Sequence, residues 1–251
     1  MKTNSVTENR QMWNDLHGWP ADGDEWVGQA RRCGQPYPEW KQALVDRLIT
    51  PYAAPGSTVL EIAPGHGRWT EFLVQRAGRL ILVDLSPRCL DFCRERFAAQ
   101  GTLEYHTTDG SSLPAGLDGQ VDLVWSFDAV VHIAAPEIAG YLRDIHRVLK
   151  PGGQAVLHHA NRRHATLGLG WLRRLGTAGR RLYRALSLGT DEWDDGWRSD
   201  VSAELFARLA RQAGLTVVEQ FGRWGEGDAF GVPRYNDRVS ILAKPLGAAR
   251  A

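Results

Sequence analysis

Cysteine is scarce in this 251-residue sequence: Cys33, Cys89 and Cys93 are its three cysteines, and no two of them form a C-x-x-C pair. This usage argues against a disulfide framework and against a thiolate zinc site. Charge of one sign is also missing, because 30 basic side chains face 29 acidic ones, which leaves no global electrostatic case for binding nucleic acid. No uncharged apolar run approaches the roughly 18 residues of a membrane span, and no secretory signal is visible in the polar start, MKTNSVTENRQ. We therefore expect a reduced, cytoplasmic protein without a membrane span.

Length and composition favour one globular domain with appendages. Apolar residues make up 43% of the chain and charged residues 24%, which are ordinary values for a globular protein. We expect residues 1–12 to be disordered and residues 1–50 to form an N-terminal cap, in which the segment 13–38 carries three tryptophans. The remaining residues, 51–251, are predicted to form the main domain.

Strand-like and helix-like segments alternate from Ser57 onward. Strands are predicted at 58–63, 80–84, 103–107, 121–126 and 154–159, and helices at 67–76, 87–99 and 136–149. A lid insertion over 161–199 interrupts the pattern, which resumes with a helix at 202–213 and two strands at 215–221 and 239–244. These last strands have no helix between them, so they must pair antiparallel. The sequence therefore predicts an α/β fold with a Rossmann-like, doubly wound sheet of seven strands, mostly parallel with one antiparallel closing strand.

The most informative motif is the segment EIAPGHG at residues 61–67, where a buried strand runs into a glycine turn that opens a helix. Such a turn lets the backbone approach a ligand closely, with helix N–H groups aimed at it. Asp84 ends the second strand, where a carboxylate can accept both hydroxyls of a ribose. Asp109 follows the third strand, beside the same crevice.

These motifs resemble the class I S-adenosylmethionine-dependent methyltransferases, over residues 57–160 and, less specifically, the closing strand pair. The resemblance implies that residues 61–67 wrap the methionine part of the cofactor, that Asp84 holds the ribose and that Asp109 meets the adenine amino group. Ala63 stands where many members carry a third glycine, and alanine costs conformational freedom if that position needs a positive φ. The implied cofactor-binding set is Glu61, Ala63, Gly65, Gly67, Asp84, Leu85, Asp109, Gly110, Ser111 and Ser126.

Two other classes compete with this interpretation. A nicotinamide-dependent reductase would have G-x-G-x-x-G, but Thr70 occupies the position of the last glycine, and a closing antiparallel strand fits a reductase poorly. An inactive cofactor-binding subunit is the second alternative, and the intact set of Glu61, Asp84 and Asp109 argues against it.

Methyl transfer mainly requires alignment of the acceptor and removal of one proton. Histidine titrates near neutral pH, which makes it a suitable base for a hydroxyl. We predict His132, His159 and Asp128 as the catalytic group, with His132 as the base. His158 and His159 are adjacent in a strand and point to opposite faces, so the sequence does not decide which one faces the site. A divalent ion such as Mg²⁺, held by Asp128, His132 and a histidine of the fifth strand, is kept as an alternative.

The acceptor is inferred from the appendages. Residues 162–184 carry seven arginines, His164 and no acid, interleaved with apolar residues. A lid with solvated arginines is the favoured interpretation, and an anion site or a membrane-surface helix are the alternatives. The tryptophan-rich cap and the lid resemble small-molecule methyltransferases of actinobacterial sugar and natural-product pathways. This resemblance implies O-methylation of a carbohydrate hydroxyl, with N-methylation of an amino sugar or other small amine as the alternative, and it suggests a homodimer.

Overall fold

A computed structural model describes residues 4–20, 24, 35–101, 103–162, 169–186, 197–232 and 235–247. In these residues the helices are α1 Val6–Arg10, α2 Tyr37–Leu44, α3 Thr70–Leu73, α4 Pro87–Arg96, α5 Ala135–Val148, α6 Gly176–Leu186 and α7 Ala203–Gln212. The strands are β1 Thr58–Ile62, β2 Arg79–Asp84, β3 Leu103–Thr107, β4 Val121–Ser126, β5 Leu149–His159, β6 Thr216–Phe221, β7 Arg223–Trp224, β8 Phe230–Gly231 and β9 Arg238–Ala243. Wider helical turns extend α1 through Gln11–Leu16 and α2 through Val45–Ile49, and a short 3-10 turn spans Val130–His132.

The main sheet confirms the predicted fold class. Its seven strands follow the order β3-β2-β1-β4-β5-β9-β6. Strand β9 runs antiparallel to both of its neighbours, β5 and β6, while the other pairs are parallel. Strand β9 pairs antiparallel with β6 because the connection between them has no crossover helix. It lies inside the sheet because its other edge pairs with β5.

Helices cover both faces of the sheet, so its central strands are buried on both sides and are built from continuous apolar runs. Alternate residues of each strand enter different layers, as Leu80 and Leu82 of β2 join the core beneath α2 and α4, and Ile81 and Val83 join the core beneath α5 and α7. The helix predicted at 87–99 begins at Pro87 as α4, because the Ser86 hydroxyl accepts the N–H of Cys89 at 3.3 Å and proline fits the first helical turn.

The expectation of disorder over residues 1–12 is wrong for its described part. Residues Val6–Arg10 form a helix with a capping box, in which Ser5 and Glu8 satisfy each other's backbone N–H groups. Asn4 and Asn9 are buried, with only 6% of each exposed. Polar composition suggested a loose terminus, but these amides are held by hydrogen bonds to distant parts of the chain. Residues 1–3 lie outside the described residues.

The structure describes only part of the predicted lid. Leu169–Leu175 form a 3-10 segment that leads into α6, whereas residues 163–168 and 187–196 lie outside the described residues. Cys33 also lies outside them. Among the described residues, no helix combines the length and the apolar character needed to cross a bilayer.

Candidate active site

A cleft opens at the carboxyl ends of β1, β2 and β4, and the loops that follow these strands contribute to its lining. The space inside the cleft, including solvent at its open mouth, is about 990 Å³. Its walls come from the N-terminal segment, the three strand ends and α5. The lining residues are Asn4, Val6, Asn9, Arg10, Trp13, Trp19, Ile62, Ala63, Pro64, Gly65, Arg68, Trp69, Val83, Asp84, Leu85, Ser86, Cys89, Thr108, Gly110, Phe127, Asp128, Ala129, His132, Ile133, Glu137 and Tyr141.

The glycine turn after β1 brings bare backbone to this cleft. Ala63, Gly65 and Gly67 have φ values of 55°, 57° and 84°, so the chain turns through the left-handed region three times within five residues. Ala63 therefore takes the strained conformation that a glycine would adopt without cost. A Cβ on Gly67 would lie 2.5 Å from the Phe97 ring, which packs under the turn. The predicted turn residues Ala63 and Gly65 line the cleft, whereas Gly67 does not line it and packs against Phe97.

Asp84 presents its carboxylate to the cleft from the end of β2. Its Oδ1 accepts the N–H of Ser86 at 2.8 Å and its Oδ2 accepts the N–H of Gly65 at 3.3 Å, so the carboxylate also fixes the turn. Burial raises the pKa of Asp84 to about 6, against the lowering effect of these backbone donors. With this pKa the carboxylate is mostly ionised at neutral pH and can accept hydrogen-bond donors.

Glu61 lies outside the cleft, behind the glycine turn. Its Oε2 accepts the hydroxyl of Thr70 at 2.6 Å, which ties β1 to the first residue of α3. Burial raises the pKa of Glu61 to about 8. In this geometry Glu61 shapes the turn from within the protein.

The other predicted cofactor residues divide into two groups. Leu85 and Gly110 line the cleft. Asp109 is exposed, and its Oδ1 accepts the N–H groups of Ser111 and Ser112 at 2.8 and 2.9 Å, so its carboxylate holds a local turn. Ser126 lies under the cleft, where its hydroxyl donates to the carbonyl of Ile62 at 3.0 Å.

His132 lines the cleft from the 3-10 turn that follows β4. Its side chain is buried, its ring centroid lies 4.7 Å from that of Trp13, and its Nδ1 lies 2.9 Å from the carbonyl oxygen of Trp197. A carbonyl oxygen only accepts hydrogen bonds, which assigns the proton of the neutral ring to Nδ1. The lone pair of the neutral ring is then on Nε2, the state that a general base requires.

Asp128 also lines the cleft, but two arginines hold its carboxylate. Its Oδ1 lies 3.4 Å from Arg198 and its Oδ2 lies 3.7 Å from Arg68. The residue has a positive φ of 71°, and its N–H donates to the Nδ1 of His158 at 3.1 Å. The positive charges of Arg68 and Arg198 therefore balance the negative charge of Asp128 in the cleft wall.

The structure corrects the prediction that His159 is catalytic. His159 is on the opposite face of the sheet from His158, stacked on Phe206 of α7 with its Nε2 2.8 Å from the hydroxyl of Ser240. Burial lowers the pKa of His159 to about 3, so the ring is neutral in the core. His158 is the histidine on the cleft side, where it stacks under Phe127 at 4.1 Å between ring centroids. It supports the cleft without lining it.

The alternative of a metal site finds no support in the described part of the chain. There, no three histidine, cysteine, aspartate or glutamate side chains come together in a way that could hold a metal ion. Asp128 and His132 share the cleft, but the Asp128 carboxylate faces arginines and the Nδ1 of His132 faces a carbonyl.

Sequence reasoning missed several lining residues. The N-terminal segment contributes Asn4, Asn9 and Arg10, which carried no motif and fell in the stretch predicted to be disordered. The tryptophans of the cap gave the only signal, because rings of that size pack onto a core or a ligand. Arg68 directly follows the glycine turn and could have been considered from its position alone.

Comparisons with known proteins agree with the fold. Residues 59–153 match the family described as a methyltransferase domain. The chain is 30% identical over 108 residues to a ubiquinone biosynthesis O-methyltransferase of Pseudomonas paraeruginosa, a match that covers 43% of this chain and 46% of that protein. It is 31% identical to a protein of the same name from Ruegeria pomeroyi, with 66% of this chain and 63% of that protein covered. The chain thus spans less than half of the length of the first relative and under two thirds of the second.

A solved structure shows the same architecture at lower sequence similarity. The TehB-like SAM-dependent methyltransferase from Corynebacterium glutamicum superposes with a TM-score of 0.55, at 19% identity, with 87% of this chain and 94% of that chain covered. At this identity the likeness shows the fold alone.

Proposed function

We propose that this chain, whose residues 59–153 match a methyltransferase domain family, transfers a methyl group from S-adenosylmethionine to a hydroxyl of a small polar acceptor. His132 is the general base in this proposal, and the hydroxyl belongs to a carbohydrate or to a sugar-containing metabolite.

The observation that carries the proposal is the environment of His132. The Trp197 carbonyl fixes the proton on Nδ1 at 2.9 Å, so Nε2 is the nitrogen that can take a proton. The residue also lines the same cleft as Asp84 and the glycine turn. A base in this tautomer suits an acceptor that must lose a proton as it is methylated. A hydroxyl has this need, whereas a neutral amine can attack the methyl group before it loses a proton.

The residues of the cleft fit the proposed cofactor. Asp84 offers an ionised carboxylate to a ribose diol. Gly65 and Gly110 line the same cleft, where Trp19 and Val6 pack against them. S-adenosylmethionine, when bound, supplies an electrophilic methyl group on a sulfonium. The rings of Trp13 and Trp19 line the N-terminal side of the cleft.

The chemistry of the acceptor then needs few protein groups. The acceptor hydroxyl gives its proton to Nε2 of His132 while its oxygen forms the new bond to the methyl carbon and the carbon–sulfur bond breaks. The products are a methyl ether, the neutral thioether S-adenosylhomocysteine and an imidazolium that returns its proton to solvent.

The walls around His132 support a sugar acceptor. The ring of Trp13 lies beside His132 in the cleft wall, and Arg10 and Glu137 offer groups that bind hydroxyls. A hydroxyl of an intermediate in ubiquinone biosynthesis is the second candidate, because two sequence relatives are named ubiquinone biosynthesis O-methyltransferases. We include residues 161–199 in the proposal as a lid for the acceptor, so deletion of 165–189 should spare cofactor binding and abolish turnover.

The first experiment is a calorimetric titration of the full-length chain with S-adenosylhomocysteine, with NADH and NADPH as controls. Micromolar binding of the first ligand alone is expected, and binding of a nicotinamide nucleotide instead would restore the reductase alternative. A panel of sugars, catechols and amino sugars, each with and without magnesium, then identifies the acceptor class by release of S-adenosylhomocysteine.

A histidine pair tests the base. His132→Ala should lower turnover by ~10²–10⁴-fold and leave the cofactor Kd nearly unchanged. The control His106→Ala removes a histidine from β3, at the sheet edge away from the base, and should turn over like the wild type. Wild-type turnover in His132→Ala would rule out its role.

A further inference from the structure

The contact partner of His132, Trp197, is itself held by the N-terminal segment. The Nδ2 of Asn4 donates to the Trp197 carbonyl at 2.8 Å, and the indole Nε1 of Trp197 donates to the Oδ1 of Asn9 at 2.8 Å. The Nδ2 of Asn9 donates to the backbone carbonyl of His132 at 2.9 Å. Four residues, Asn4, Asn9, His132 and Trp197, thus form one hydrogen-bonded cluster, which we call the base clamp.

The amide of Asn9 has one possible orientation in the base clamp. An indole N–H only donates, so it must face Oδ1. The backbone carbonyls of Asn4 and His132 only accept, so they must face Nδ2, at 3.2 and 2.9 Å. Because Asn9 is buried, a side chain of the same shape with a different pattern of donors would leave polar groups unpaired.

The backbone of Trp197 is strained in this arrangement. Its φ is 62°, in the left-handed region that large side chains rarely adopt. Strain of this kind costs of order 1–3 kcal/mol and persists where the surroundings hold it in place. Here the indole bond to Asn9 and the carbonyl bond to Asn4 hold it, and the result is a carbonyl oxygen aimed at Nδ1 of His132.

The same N-terminal segment also contacts the cofactor side of the cleft. Trp19 lies over the glycine turn, so close that a Cβ on Gly65 would lie 2.7 Å from its ring. The hydroxyl of Ser86, two residues after Asp84 in the chain, donates to the Oδ1 of Asn14 at 2.8 Å. One segment therefore touches both the proposed cofactor pocket and the proposed base.

We propose that Asn9 is a positioning residue that, through Trp197, orients His132 and keeps its proton on Nδ1, so that packing of the N-terminal segment over the cofactor pocket prepares the base. This inference rests on the proposed function, because it needs His132 to be the base. It predicts that the base is ready only when the N-terminal segment is in place over the cofactor.

The tautomer of His132 can be measured without knowing the acceptor. The full-length chain, labelled with ¹⁵N-histidine and saturated with S-adenosylhomocysteine, is examined by long-range ¹⁵N–¹H spectra, with His132→Gln used to assign the signal among the eight histidines. The wild type should show a protonated Nδ1 and an unprotonated Nε2. Asn9→Ala and Trp197→Phe, which removes the indole donor and keeps an aromatic ring of smaller size, should both give a mixture of tautomers. The control Gln11→Ala, an exposed position of the same segment, should match the wild type.

Turnover with the acceptor found in the panel gives the second readout. Asn9→Ala should lower kcat ~10-fold in the wild-type background and change it less than ~2-fold in the His132→Ala background, because a residue that acts through His132 has nothing left to position. Equal losses in both backgrounds, or a wild-type tautomer in both Asn9→Ala and Trp197→Phe, would overturn the inference. If His132→Ala keeps wild-type turnover, the base assignment fails by itself, and the tautomer spectra still decide whether the base clamp exists.

Discussion

Asp84 offers the sharpest test of the cofactor pocket, because its carboxylate is both a structural acceptor and the proposed ribose ligand. Asp84→Asn keeps the shape of the side chain and removes its charge, and its Nδ2 then faces one of the two backbone N–H groups, of Ser86 and Gly65, that the carboxylate accepts. A hydrogen bond to a charged group contributes about 1.5–3 kcal/mol, and the remaining amide oxygen can still accept one of the two bonds from a ribose diol. We expect the substitution to weaken binding of S-adenosylhomocysteine by about 2–4 kcal/mol, which is roughly 30- to 1,000-fold in Kd.

The pKa of Asp84 gives the same experiment a second, independent signature. Burial raises that pKa to about 6, so the carboxylate is charged above this pH and becomes protonated below it. A protonated carboxyl loses much of its capacity to accept hydroxyls, and at pH 5 only about one tenth of the side chains remain ionised. The wild-type Kd should therefore be flat from pH 8 to 7 and rise about tenfold by pH 5, whereas this dependence should be absent in Asp84→Asn.

Isothermal titration calorimetry at several pH values between 5 and 8 measures both effects. The matched control is Asp91→Asn, an exposed aspartate on α4 that pairs with Arg94, and its Kd and pH dependence should equal those of the wild type. The reasoning is refuted if Asp84→Asn binds within about threefold of the wild type at pH 8. It is also refuted if both proteins show the same rise in Kd at low pH.

Three further outcomes test the structure around the site. Gly67→Ala should lower the free energy of unfolding by about 3 kcal/mol, because the new methyl meets the Phe97 ring at 2.5 Å and φ is positive. The control Gly116→Ala also has a positive φ, but its added methyl would meet no atom within 4 Å. Urea unfolding should therefore show a loss of only about 1 kcal/mol in the free energy of unfolding. Equal losses in the two variants would contradict the steric argument. Glu61 has a folded-state pKa raised to about 8, so its contribution to stability is present at low pH and is lost as the pH rises through 8. Glu61→Gln should therefore be close to the wild type in stability at pH 5 and more stable by up to about 4 kcal/mol at pH 9. If thermal or urea unfolding shows the same stability difference between the two proteins at both pH values, this sign is refuted. His159→Ala should cost about 2–4 kcal/mol of stability by opening a core cavity yet keep the wild-type kcat, and loss of kcat in protein that is still folded would return His159 to the catalytic group.

Local rules were sufficient for most of the architecture. The strand bounds at 103–107 and 121–126 agree with β3 and β4, because short apolar or β-branched runs between turn residues depend mainly on their own sequence. The helix after β2 starts where Ser86 and Pro87 predict it. The reversed strand followed from the missing crossover before β9, which leaves an antiparallel pair as the only connection.

The cofactor side of the site was also largely readable from the sequence, because it depends on backbone geometry. The glycine turn and Asp84 both reach the cleft, since the carboxyl ends of neighbouring parallel strands meet at one edge of the sheet. Asp109 shows the limit of this rule. Its position after β3 is as expected, but its carboxylate accepts bonds from the next turn of the chain, and residue order does not say which donor a carboxylate will choose.

What only the tertiary structure decided are contacts between residues far apart in the sequence. The strand period states that His158 and His159 face opposite ways, but only the packing of Phe127 and Phe206 shows which histidine lies beneath the cleft. Asn9 and Trp197 are separated by 188 residues, and nothing local to either one indicates the other. The sequence by itself determined the sheet, the turn and the acid at its edge, because those depend on local sterics and strand connectivity. The orientation of His132, the proposed base, depends on hydrogen bonds that exist only once the N-terminal segment has packed against the rest of the chain.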